Sequence, residues 1–205
     1  MGWTFYNSSG EAMIIDGGLA NVVEDTTPQL GGNLDMQARL LVGNGGSTGI
    51  AISANGEVTM AAQPCVSAFN SATDSNVTGN NTHATVDFNS EIFDQNADFA
   101  SDTFTAPITG RYLVSMQIQL LNITSSATAT QCRIITSNRT YLKEQGKIPP
   151  DGSDRISVDR TTIVDMDASD TMTITTNVNG EGSDVIEIEG SASSFHTIIT
   201  VCLLA

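Results

Sequence analysis

The chain has 205 residues, 23 of them acidic and 8 basic, for a formal charge of -15. So few cations exclude a protein whose work is to neutralise nucleic-acid phosphates, and at this length one good core with an appendage is the expected organisation. Thr, Ser, Asn, Ile and Val are abundant while Lys, Glu and Leu are sparse, which favours strands and turns over long helices.

Residues 1–63 read as an attachment region rather than a free-standing core. Trp3, Phe5 and Tyr6 concentrate aromatic side chains in a polar, glycine-rich setting and are the candidate docking anchor; filling a small local cluster is the plainer alternative. No basic and apolar leader follows Met1, so no secretory signal is expected, and no apolar run reaches transmembrane length, so no membrane insertion is expected. The glycine-rich 43–49 stretch lacks the Lys-Ser/Thr pair of a phosphate loop. The Asn55-Gly56 pair between alternating segments predicts a hairpin with a type I′ turn.

From residue 64 onward, strand candidates come in quick succession: 65–70, 83–88, 98–105, 110–121, 129–137, 155–164, 171–179, 185–189 and 195–204. The clearest is 110–121, where Tyr112, Val114, Met116, Ile118 and Leu120 fall on one face and Leu113 breaks the polar face. The almost wholly apolar 195–204 run is expected to be central and covered on both faces. Loops are expected at 71–82, 122–128, 138–154, 165–170 and 190–194. Cys65, Cys132 and Cys202 are an odd set at wide spacing, read as small buried hydrophobes rather than a disulfide framework or zinc site.

Around the 110–121 strand, Phe88, Asp94, Phe99, Phe104, Gly110 and Tyr112 stand at spacings that resemble the signature of the complement C1q-like domain, a relative of tumour necrosis factor. Phe195 opens what looks like that family's closing strand. The resemblance spans residues 64–205 and implies an antiparallel ten-strand jelly-roll sandwich that assembles as a homotrimer on the extended, hairpin-containing region 1–63. The segments TTPQLGGNLDM (26–36), ISANGEVTM (52–60) and GWTFYNSSGEA (2–12) look like pieces of tail-fibre and virion appendage proteins of tailed bacteriophages.

These resemblances imply a structural and adhesive virion protein, made in the host cytoplasm, whose N-terminal region docks on other virion proteins. A capsid decoration fibre and a non-viral C1q-like recognition module are the alternatives. The receptor, a host surface glycan or protein, is expected to meet short polar side chains at the end of the head far from the stem: Asn76, Asn80, Asn81, Asn122, Ser125, Ser126, Ser191 and Ser193. The acidic stretch 165–170 is placed at that same far end, and the basic stretch 138–154 at the stem end or flank. Asp165, Asp167 and Asp170 offer hard oxygen ligands to calcium, although a solvated turn is the plain reading and the spacing is not that of an EF-hand; no other cofactor is expected. His83 and His196 read as ordinary strand residues and no catalytic set is visible, so enzymatic activity is not expected.

Overall fold

The computed structural model describes residues 4–6, 12–14, 41–42, 49–146 and 154–204, and among them every regular element is a strand. Near the N-terminus, β1 (Thr4–Tyr6) pairs antiparallel with β2 (Ala12–Ile14). A separate three-stranded sheet joins β3 (Leu41–Val42), β4 (Gly49–Ile52) and β5 (Val58–Met60). The expected hairpin is therefore present, but its turn differs from type I′. The Gly56 amide donates to the Ser53 carbonyl, and of the Asn-Gly pair only Gly56 has positive φ. A type I turn followed by a left-handed glycine meets the same strand twist with one residue more.

The remaining strands are β6 (Cys65–Phe69), β7 (Ala72–Thr78), β8 (Ala84–Thr85), β9 (Ser90–Asp94), β10 (Phe99–Ala100), β11 (Thr103–Thr105), β12 (Gly110–Leu121), β13 (Ala129–Thr136), β14 (Thr140–Gly146), β15 (Ile156–Met166), β16 (Thr171–Asn179), β17 (Ile186–Ser191) and β18 (Ile198–Leu203). They form two antiparallel sheets. One runs β15-β12-β18-β6-β9, with β17 and then β7 joining at the far end of β12; the other runs β10-β11-β16-β13-β14, with β8 on β16. From β12 onward the chain crosses between sheets from β12 to β13, from β14 to β15, from β15 to β16 and from β16 to β17, which makes a jelly roll. Leaving aside β8, β10 and β11, which have two or three residues, ten strands of five residues or more carry it. An antiparallel ten-strand jelly-roll sandwich is the architecture that the resemblance implied.

The two-residue period explains the core. Tyr112, Val114, Met116, Ile118 and Leu120 are buried as expected and meet Cys132, Ile134, Met172, Ile174 and Val178 from the facing sheet. The aromatic motif residues converge at one end: Phe99 pairs with Phe104, whose ring lies edge-on to Tyr112 at 5.4 Å, and Phe88 meets Phe99 edge-on at 6.4 Å. Tyr112 Oη donates to the Ile108 carbonyl at 2.6 Å, fastening the Pro107–Gly110 turn. The Asp94 carboxylate accepts the amides of Asn96, Asp98 and Phe99, capping the turn between β9 and β10.

Several expectations require correction. Phe195 is not a core residue: it precedes β18, is 44% exposed, and caps the outer side of Phe69 at 4.6 Å. The expected loops 71–82 and 138–154 contain the strands β7 and β14, and the expected strand 98–105 is instead the β10–β11 hairpin, turned at Ser101 and Asp102 with positive φ. β7 and β14 lie at sheet edges, where one side of the strand faces water and a polar sequence such as ATDSNVT or TYLKEQG suffices. Cys65 and Cys202 are directly opposed on β6 and β18 and form a disulfide, whereas Cys132 is buried and free as expected. β18 is central, between β12 and β6, but only its inner residues Ile199 and Val201 are covered; Ile198, Thr200 and Cys202 on the other face are half-exposed.

Candidate functional site

Strand pairing fixes which loops share an end. β12 and β15 pair without interruption from Gly110 with Met166 to Leu120 with Ile156, so the turn after β15 lies at the end where β12 begins. That is also the end where the chain enters the sandwich, since Leu203 donates to the Pro64 carbonyl and Asn96 to that of Ala62. The acidic turn therefore sits at the entry end, opposite to the expected placement. The unforeseen strand β14 is the cause, because one extra strand reverses the end reached by the loop after β15. Of the basic stretch 138–154, Arg139 does lie at the entry end, while Asp154, bonded to the Ile123 amide, lies at the far end.

Within the acidic turn each carboxylate has its own protein partner. Asp165 pairs with Arg139 at 3.3 Å, Asp167 accepts from Thr109, and Asp170 accepts from Asn138 at 2.7 Å and from the Asp167 amide at 2.9 Å. Among the described residues no group of three or more His, Cys, Asp or Glu side chains is placed to hold a metal ion.

At the far end, two carboxylates that the sequence did not single out organise the loops. Asp184 accepts the Asn80 amide at 3.0 Å and the Thr82 hydroxyl at 2.7 Å, which holds its pKa below the usual carboxylate value. Glu181 accepts the Thr124 amide at 2.9 Å and its hydroxyl at 2.7 Å. Gly180, at φ +103°, lets the backbones meet here: a Cβ would lie 2.4 Å from the Ser126 carbonyl oxygen. The segments 79–82, 122–128 and 180–184 are thus tied into one surface. It carries Asn80, Asn81, Asn122, Ser125 and Ser126, all exposed, with Asn76 nearby on β7. Asn76, Asn81 and Asn122 also have positive φ, which asparagine tolerates better than most residues. Ser191 and Ser193 lie elsewhere, in a serine turn on the flank beside Phe195, anchored by the Ser191 amide on the Asn70 carbonyl.

The outer face of the β15-β12-β18-β6-β9 sheet is a second candidate surface. Leu113 lies between Ile163 and Cys202, and Cys202 is bridged to Cys65; in the next row Thr161, Ser115, Thr200, Ser67 and Phe93 follow one another across five strands. Leu113, Ile163 and Phe93 are 37%, 52% and 43% exposed. The band is bounded by the Arg111–Asp165 row on one side and by Asp159 on the other, and holds no charge between them.

Of the three aromatic residues expected to form a docking anchor, Phe5 and Tyr6 stand on β1, and Trp3 lies outside the described residues. Neither histidine is within a strand. His83 is exposed just before β8, and His196 stands before β18 with Nε2 3.9 Å from Glu189, whose two oxygens both accept from Arg155. An open pocket of about 220 Å³ at the base of the head, lined by Gly49, Ile50, Met60, Ala62 and Gln63, falls short of the roughly 300–1,000 Å³ usual for small-molecule sites.

No family model matches the chain, and no curated protein matches it. Among solved structures, the globular domain of zebrafish complement 1qA protein is similar at 15% identity and a TM-score of 0.48, over 70% of this chain and 98% of that one. Murine APRIL is similar at 12% identity, over 69% of this chain and 99% of that one, with TM-scores of 0.47 for its pH 8.5 structure and 0.48 for its pH 5.0 structure.

Proposed function

We propose that this chain is a structural and adhesive virion protein of a tailed bacteriophage: a homotrimeric fibre or spike, docked on the particle through its N-terminal region and presenting the jelly roll to the host. The observation that carries the reading is the uncharged band around Leu113 and Ile163. Copies of a chain with charge -15 repel one another over most of their surface, so self-association needs a face without carboxylates. The half-covered outer side of the central strand β18 supplies one. Burial of that face between neighbours would complete the cover expected for so apolar a strand.

The tied loops at the far end suit recognition. Their exposed amide and hydroxyl groups can exchange hydrogen bonds with a sugar or a protein loop, and the Asp184 and Glu181 ties hold them in place before contact, so little ordering is required on binding. The distance of this surface from the chain's entry point puts it outermost when the N-terminal region is on the particle. Binding is the role of this head rather than catalysis, and the phage origin is supported by the N-terminal sequence likenesses alone.

A glycan array probed with the purified chain tests the adhesive part. Binding should be lost on combining Asn80→Ala, Ser125→Ala and Ser126→Ala, and kept in Asp167→Ala at the opposite end. Binding that survives the triple variant but not Asp167→Ala would reverse the assignment. A chain that stays monomeric would overturn the trimeric part.

A further inference from the structure

Below the head, the β4–β5 hairpin turns a second apolar surface outward. Ile50 is opposite Met60 and Ile52 opposite Val58, so all four side chains share one face of the sheet, and they are 40%, 44%, 45% and 60% exposed respectively. The alternate positions Gly49, Ala51 and Thr59 are small or polar. Four large apolar side chains in adjoining pairs form a contiguous patch rather than the scattered exposure normal for a surface. Their partner must be apolar and uncharged, because the hairpin offers a charged group nothing to pair with: between Arg39 and Asp74 the sole charged residue is Glu57, at the turn.

We propose that this face is an interface between copies of the chain, where the hairpins of three protomers pack their Ile50, Ile52, Val58 and Met60 faces together as a collar beneath the heads. The inference rests on the trimeric reading and deepens it. Two observations choose a second copy over an unrelated partner. Charge is the first: in a chain of -15, the hairpin is the stretch where copies approach with least repulsion, and the patch is chemically complementary to itself. Continuity is the second. Gln63, three residues beyond Met60, donates its side-chain amide to the Leu203 carbonyl at 2.9 Å, and Leu203 pairs with Tyr112 beside Leu113 and Ile163. The hairpin is thus fastened to the base of the strands that carry the uncharged sheet face. One rotation axis can bring both surfaces against their equivalents.

The test uses the full chain with Val58→Cys and a short bis-maleimide, read on a denaturing gel, alongside light scattering of Ile52→Asp combined with Val58→Asp. Native thiols do not interfere, since Cys65 and Cys202 are paired and Cys132 is buried. Cross-linking should give covalent dimers at micromolar chain, while Ser125→Cys at the far end gives none. The double aspartate variant should need at least a tenfold higher concentration to assemble, with an unchanged β-sheet circular dichroism spectrum. If the unmodified chain is a trimer, yet Val58→Cys does not cross-link and the double variant assembles normally, the collar is wrong and the face belongs to another protein, while the trimeric head stands. If the unmodified chain is a monomer at all concentrations, both fail.

Discussion

Leu113 on β12 and Ile163 on β15 face each other across adjacent strands, and both turn away from the core into solvent. Neither is required by the sandwich interior, which is filled by their neighbours Tyr112, Val114 and Val164. Replacing both with aspartate should therefore leave the head folded and dissociate the assembly. The measurement is sedimentation of Leu113→Asp with Ile163→Asp; a variant that still sediments as the unmodified chain does would mean another face joins the copies.

Phe104 is fully buried against Tyr112 and paired with Phe99. Phe104→Ala should destabilise the head by about 3–5 kcal/mol, the usual range for truncating a core phenylalanine. Chemical denaturation gives the number, and a cost below about 1 kcal/mol would show that the site can collapse around the missing ring.

The cysteines make a sharp chemical prediction. Burial pushes the Cys132 thiol up to about 12, so it is protonated and shielded at neutral pH. A thiol reagent should find none in the native chain and one after unfolding in guanidinium without reductant. Three thiols on unfolding would refute the Cys65–Cys202 bridge. Because that bridge closes a loop with a sequence separation of 137 residues, Cys65→Ser with Cys202→Ser should cost about 2–5 kcal/mol.

Asp102 carries a pH dependence. Burial and then the nearby Asp87 raise its pKa, against the lowering effect of the Phe88 amide that it accepts at 2.8 Å. A carboxyl whose folded pKa is raised binds its proton more tightly in the folded state. Its stabilising contribution is present below the unfolded value of 3.8 and is lost as pH rises through the folded value. Asp102→Asn keeps the acceptor, suits the positive φ of 60° at this position, and removes the charge. It should raise the melting temperature at pH 7, with the advantage shrinking as pH falls into the carboxylate range. Equal melting curves at pH 7 would show that the charge has no cost there.

Much of the head is legible in the sequence, because the residues that build it obey strong local rules. The alternation from Tyr112 to Leu120 places the central strand, and the Phe88, Phe99, Phe104 and Tyr112 spacing reports a single aromatic cluster. Long-range pairing is less legible. Nothing near Cys65 says that Cys202 will be its cross-strand neighbour, and Asp184 and Glu181 look like any acidic loop until 79–82 and 122–128 are brought to them. The edge strands β7 and β14 carry too little apolar residue content to announce themselves. Without β14, strand alternation alone puts Asp165, Asp167 and Asp170 at the far end; with it, the turn that carries them returns to the entry end. Phe195 reads as a core residue for a related reason: its hydrophobicity serves Phe69 on the outer face rather than the interior.

The most direct test of the trimeric fibre is the solution mass of the recombinant full chain, measured by light scattering after size exclusion. A homotrimer gives a single species at three times the chain mass of 21.5 kDa, stable on dilution through the micromolar range. A monodisperse species of 21.5 kDa with an all-β circular dichroism spectrum would contradict it, leaving the uncharged sheet face and the hairpin without the partner assigned to them.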